Sequence, residues 1–234
     1  MLKRAGRLLT GNDVLYSYDV HPRKSAFGSD YGGWTITPEC LDSSSTIYSF
    51  GLGNDISFDL ALIQRFGCTV HGFDPSPPVA KWVGTQNLPA NYVFHDYGLG
   101  ASDGEISFFA PSARSGMFST SKQHRHVTNI EVRLLVRTLS TITAALGSSC
   151  IDVLKMDIEG AEYDLLPAIV QCPIPIGQLL IEFHHRAGIG SLKDTVNGVQ
   201  QLRSAGFQLF HVSETSSEFS FLHKDSAARN TGRW

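Results

Sequence analysis

Short apolar runs alternating with helix-period segments restrict most of this chain to a layered α/β fold. Thr46–Phe50 is a β-rich run that ends at Gly51-Leu52-Gly53. Residues 55–66 then place Ile56, Leu60 and Ile63 near helical spacing, with Gly67 where a helix C-cap is expected. Residues 68–73 form a second short strand closed by Asp74-Pro75, residues 77–84 a short helix, and Tyr92–His95 a third strand. Further along, residues 138–146, Glu162–Val170 and residues 192–205 read as helices. Between and after them, Ile151–Met156, residues 178–183, Phe207–Val212 and Glu218–His223 read as strands. Strands joined through helices imply a mainly parallel sheet, and such a sheet binds ligands in the crevice beyond its strand carboxyl ends.

Two regions depart from this rhythm. Residues 1–45 lack clean periodicity and carry Gly32-Gly33-Trp34, so they read as an irregular segment packing on a domain that fills residues 46–234. Residues 105–109 and 131–136 look like an inserted hairpin, whose loop, residues 111–129, is rich in Ser, His, Arg and Lys and is placed to choose an acceptor. His124 and His126 in that loop read as solvated surface.

At 234 residues, 42% hydrophobic and 18% charged, the chain suits one large domain with a real core. A net charge of −3 gives no support for non-specific binding to nucleic acid or an anionic membrane. Cys40, Cys68, Cys150 and Cys172 form no CxxC pair, so reduced thiols are expected rather than zinc or a disulfide framework. Met1-Leu2-Lys3-Arg4 is basic, but no apolar run follows, and no stretch reaches the ~20 apolar residues of a membrane span. A soluble, cytoplasmic protein is the expectation.

Phe50-Gly51-Leu52-Gly53-Asn54-Asp55 falls at a strand-to-helix turn, where glycines let the backbone bend and a ligand approach. The third glycine of the dinucleotide fingerprint is replaced by Ile56, which counts against NAD. Asp74 follows Gly53 by 21 residues and ends the next strand, where a carboxylate can accept from a ribose diol. With no basic residue just after it, a 2′-phosphate finds no partner. No Lys or Arg lies between Thr46 and Gln64, so a P-loop is excluded. S-adenosylmethionine carries an ammonium and a sulfonium and no phosphate. Asp55 suits its ammonium, and free helix N-terminal amides suit its carboxylate.

The string Lys155-Met156-Asp157-Ile158-Glu159-Gly160-Ala161-Glu162 leaves the fourth strand at the same crevice. Two carboxylates there raise each other's proton affinity, which makes one a candidate base; Glu162 reads rather as a helix-start residue. Glu182-Phe183-His184-His185-Arg186 leaves the fifth strand, and His184 is the first candidate for general base, with Asp157 or Glu159 second. Glu182, His184 and Asp157 are also a possible divalent-metal set, but the preferred reading assigns no metal.

Together these pieces resemble the FkbM-type methyltransferase family, including its animal methyltransferase-like relatives. The resemblance rests on Gly32-Gly33-Trp34, Tyr48 to Asp55, Phe73-Asp74-Pro75, Gly98-Leu99-Gly100 before Asp103-Gly104, Leu154 to Glu162, and Ile181-Glu182-Phe183-His184. It implies a Rossmann-like seven-stranded sheet, mainly parallel, with one antiparallel strand near its carboxyl edge. It also implies methyl transfer from S-adenosylmethionine, commonly to a hydroxyl of a sugar, glycan or other small-molecule acceptor. By position, Gly51, Gly53 and Asp55 would line the methionine part, Asp74 the ribose, Asp96 or Tyr97 the adenine, and Asp157 the transferring methyl. Phe50 stands where many methyltransferases carry an acid. The rival readings are an NAD-dependent oxidoreductase and a cofactor-binding module without catalysis.

Overall fold

The computed structural model describes residues 11, 13–112, 118–120, 127–186 and 189–226. Its central sheet has seven strands: β3 (Thr46–Phe50), β4 (Thr69–Phe73), β5 (Tyr92–His95), β9 (Ile151–Met156), β10 (Ile176–Glu182), β11 (Phe207–Val212) and β12 (Glu218–His223). They lie in the order β11-β12-β10-β9-β3-β4-β5. β12 runs antiparallel to both neighbours, while the pairs β10–β9, β9–β3, β3–β4 and β4–β5 are parallel. The chain builds β3 to β5 toward one edge and then returns to lay β9 on the other side of β3. The gap between β3 and β9 is therefore the topological switch point, where a crevice opens.

The helices are α1 (Ser57–Phe66), α2 (Pro77–Val83), α3 (Leu139–Leu146), α4 (Glu162–Val170) and α5 (Leu192–Ser204). Strand alternation sends Ile47, Val153 and Leu180 to one face, where they meet Phe58 and Leu62 of α1 and Val79 and Val83 of α2. Tyr48, Leu154, Leu179 and Ile181 go to the other face, against Ile142 of α3, Leu165 of α4 and Leu202 of α5. β10 is buried almost throughout, as a strand covered on both faces must be.

Two expected helix starts move inward. Asp55 lies outside α1 and accepts from the Ser57 amide at 2.7 Å, and Thr138 caps α3 by accepting from the Thr141 amide. Both side chains satisfy amides that the first turn leaves unpaired, so they flank the helices instead of joining them. The expected insertion is a three-stranded sheet of β6 (Gly98–Leu99), β7 (Gly104–Pro111) and β8 (Val127–Arg137), in the order β6-β8-β7. Much of the loop expected to choose the acceptor, and both His124 and His126, lie outside the described residues.

The segment before β3 is more regular than its sequence suggests. β1 (Ser25–Phe27) and β2 (Trp34–Ile36) pair as an antiparallel hairpin, followed by a 3₁₀ turn at Pro38–Cys40. Gln178 of β10 anchors it: its amide accepts from the Thr37 N–H at 2.8 Å and donates to the Thr37 carbonyl at 3.0 Å. Ser220 of β12 adds a hydrogen bond to the Thr35 carbonyl. Among the described residues, no helix is long and apolar enough to cross a membrane.

Candidate active site

A cavity of about 890 Å³ opens at the carboxyl ends of β3, β4, β9 and β10. The turn after β3 forms one wall. Gly51 has φ +76°, and a Cβ added there would stand 1.6 Å from the Asp157 carbonyl oxygen. The two turns of the switch point thus touch through backbone, and only glycine permits it. Gly53 has φ +54°, and a Cβ there would meet nothing within 4 Å.

Asp74 ends β4 and ties this turn to the start of α2. Its Oδ2 accepts from the Leu52 and Gly53 amides at 3.0 and 3.3 Å, and its Oδ1 from the Ser76 amide and hydroxyl at 2.9 and 2.5 Å. Asp55 performs a similar service for the N-terminal hairpin: it accepts from the Ser29 hydroxyl at 2.5 Å, and Ser29 Oγ in turn accepts from the Tyr31 and Gly32 amides. Burial works to raise Asp55, yet the hydrogen bonds from Ser29 and Ser57 prevail and hold its carboxyl below the usual range. The hairpin loop so held brings Asp30 through Trp34 to the cavity, with the Tyr31 ring 78% exposed at its mouth.

The acidic end of β9 faces that of β10. His184 Nδ1 is 2.7 Å from Oε1 of Glu162, whose side chain is fully buried. Its Nε2 is 3.2 Å from Glu159, 3.7 Å from Asp157 and 4.0 Å from Glu182. Burial alone would lower the imidazole, but Glu162 and Glu159 override it and hold His184 well above the ordinary histidine range. The carboxylates on both sides of the ring thus favour its imidazolium form. Burial, then repulsion from Asp157, lifts Glu182 well above the usual carboxyl range. Burial in the wall also raises Asp157, against the attraction of Lys155 and His184. Asp157, Glu182 and His184 offer ligand atoms within 4.8 Å of one another. Glu159 reaches its place through a left-handed backbone, φ 52°, on the turn into α4.

Gly51, Gly53, Asp55, Asp74, Asp157 and Glu159 all line one cavity, as their positions after strand ends predict. His184 stands behind the carboxylates and is 8% exposed. Asp96 and Tyr97 are not brought to the cavity. Asp96 is exposed, and the Tyr97 ring packs against Phe73 and His95 with the Arg137 guanidinium over it. The wall resumes one residue later, at Gly98 and Leu99, and Val79 and Trp82 also line it. Sequence reasoning also missed Glu162 as the partner of His184, a contact across 22 positions, and Glu218, which β12 brings to the rim. Tyr31 had a signal, an aromatic beside Gly32-Gly33.

A family model for the methyltransferase FkbM domain matches residues 10–209. The probable methyltransferase-like protein 24 of Homo sapiens is 30% identical over 203 residues, which cover 82% of this chain and 49% of that protein. Its counterpart of the same description in Rattus norvegicus is 30% identical over 190 residues, covering 76% of this chain and 46% of that protein. The chain therefore spans about half the length of these curated relatives. Among solved structures, a Methanococcus jannaschii fibrillarin pre-rRNA processing protein aligns with a TM-score of 0.48 and 9% identity, over 90% of this chain and 86% of that one. With the family model matching most of its length, the chain belongs to the FkbM methyltransferase domain family.

Proposed function

We propose that this domain binds S-adenosylmethionine in the switch-point cavity and methylates a hydroxyl of a sugar, glycan or other small-molecule acceptor. One observation carries the reading: carboxylates from separate strand ends converge on a cavity of about 890 Å³ behind a glycine turn. A cationic adenosine compound suits that field. The pyrophosphate of a dinucleotide would meet Asp55, Asp74 and Asp157 across the same space, so an NAD-dependent reaction is disfavoured. The residues fit the cofactor in a second respect, since the missing Cβ of Gly53 leaves open space beside the turn.

When bound, the cofactor supplies an electrophilic methyl group on a good leaving group, so the chain's main task is positioning. Asp55, ionised at neutral pH, takes the ammonium. Asp74, fixed by four hydrogen bonds, faces the ribose. Gly98, Leu99, Val79 and Trp82 replace Asp96 and Tyr97 as the surround of the adenine. The proton of the acceptor hydroxyl goes to a cavity carboxylate, with Asp157 first and Glu159 and Glu182 beside it. Their proximity and burial make such a carboxylate a better base than one in water. His184 already holds its proton and is removed from the cavity, so its part is to gather and orient those carboxylates. The anionic mouth repels phosphodiesters, and the exposed Tyr31 ring suits the apolar face of a saccharide.

Calorimetric titration with S-adenosylmethionine, S-adenosylhomocysteine and NAD tests the cofactor. Transfer of labelled methyl to a panel of glycosides tests the acceptor. Binding of NAD in preference to S-adenosylhomocysteine would sink the reading. Binding of S-adenosylhomocysteine without transfer to any glycoside would remove the saccharide from the reading.

A further inference from the structure

Lys155 is the one cation among the described residues that line the cavity, where it faces seven carboxylates. It follows Leu154 on β9 and points to the α1 face of the sheet, level with Ser49 of β3 and Leu180 of β10. Its side chain is only 6% exposed. Nζ donates to the Gly51 carbonyl at 2.7 Å and to the Phe50 carbonyl at 3.4 Å, and lies 5.8 Å from the Trp34 ring centroid. Asp55, Asp59 and Asp157 all feel its charge, yet among the described residues none forms an ion pair with it. A buried ammonium has three donors and high desolvation cost, and two carbonyls account for two of the donors.

We infer that Lys155 is the counter-charge for the carboxylate of the cofactor's methionine end. The inference rests on the cofactor reading above. An amino-acid end is a zwitterion, and its two charges need opposite partners close together. Asp55 and Asp157 supply the negative partner abundantly, and they would expel a carboxylate from the same pocket unless a cation met it. Lys155 is that cation, held against the turn whose glycines line the pocket. The Trp34 ring and the hairpin fixed by Asp55 cover it from water, which strengthens the charge–charge contact.

The test compares three thioethers by calorimetry: S-adenosylhomocysteine, its decarboxylated analogue, and 5′-methylthioadenosine, which lacks the amino-acid end. Wild-type protein should bind S-adenosylhomocysteine at least about tenfold more tightly than the decarboxylated analogue, the effect of one charge-assisted contact. Lys155→Met should weaken S-adenosylhomocysteine by a similar factor and leave 5′-methylthioadenosine within about twofold, a difference too small to register as a lost contact. Lys155→Arg should recover part of the loss. Equal weakening of both nucleosides by Lys155→Met would reduce the residue to a prop for the glycine turn and overturn the inference. Equal wild-type affinity for S-adenosylhomocysteine and its decarboxylated analogue would overturn it too, and that comparison stands even if the variant fails to fold. In either case the cofactor reading survives; within this comparison it falls if wild type binds none of the three.

Discussion

A single missing methyl group decides how closely the two loops of the switch point approach. At Gly51 the absent Cβ is replaced by the Asp157 carbonyl, so Gly51→Ala must push β3 and β9 apart or unwind the turn. At Gly53 a Cβ meets no protein atom and pays only the left-handed backbone penalty, roughly 1–2 kcal/mol. Gly51→Ala should therefore lower both the melting temperature and S-adenosylhomocysteine affinity steeply, whereas Gly53→Ala should mainly lower affinity. Similar melting losses for both would mean that the contact with Asp157 does not constrain the sheet. The buried ion cluster offers a second residue-scale prediction. Removing the imidazolium by His184→Ala takes the counter-charge from fully buried Glu162, to which the Gly160 amide still donates; losing one partner of such a buried pair costs about 3–5 kcal/mol. Because His184 titrates well above its reference value of 6.5, its contribution is complete below that pH and fades as pH rises through the raised folded value. The melting gap between wild type and variant should accordingly narrow at alkaline pH; a gap that widens there would mean that the ring is held neutral.

Elements carry the next level of organisation, and the N-terminal hairpin is the informative one. Its far end is anchored where Gln178, buried inside β10, bonds both backbone groups of Thr37. Gln178→Leu keeps the volume but leaves a buried N–H and C=O unpaired, each worth about 1–3 kcal/mol. Limited proteolysis should then cut the segment before β3 sooner than in wild type, and S-adenosylhomocysteine affinity should drop as Trp34 and Asp30 lose their fixed place. Unchanged cleavage and affinity would show that Ser220 and the β1–β2 pairing hold the segment alone. The same segment marks where sequence stops being legible. Thr46–Phe50, Tyr92–His95, Ile151–Met156 and Glu162–Val170 have the expected bounds because turn residues or a clear change of period flank them. Three-residue strands such as β1 and β2, and the two-residue β6, are too short to show a period. Site residues followed the same logic. Gly51, Asp74 and Asp157 were readable because each directly follows a strand, and position after a strand fixes position at the crevice. Asp96 and Tyr97 also follow a strand, but the chain runs on into β6 and turns the Tyr97 ring away. The pairing of Glu162 with His184 depends on tertiary packing, which spacing does not encode.

At the scale of the whole molecule, buried ionisable groups on the α1 side of the core link folding to pH. Asp59 of α1 is 2% exposed, and Tyr92 of β5 donates to its Oδ2 at 3.4 Å. Burial, opposed by the Lys155 charge, pushes its carboxyl from 3.8 up to about 6. Such a rise in proton affinity bears directly on folding. Between those values the native state keeps a proton that the unfolded chain has released, so stability falls as pH rises through that window and stays lower above it. A rise of this size corresponds to roughly 3 kcal/mol, which in a domain of this size is about 6–12 °C of melting temperature. Asp59→Asn carries no ionisable proton and keeps the shape. Its melting temperature should match wild type near pH 4 and exceed it at pH 7 to 8, with the wild-type decline between pH 4 and 6 flattened. A variant less stable than wild type at pH 8 would instead mean that the ionised carboxylate is held there by Lys155. The expected cost at neutral pH has a functional counterpart: an ionised Asp59 attracts the Lys155 ammonium and helps hold it in place. Asp59→Asn should then be more stable and also bind S-adenosylhomocysteine no more tightly than wild type, the pattern of a fold that gives up some stability for its site.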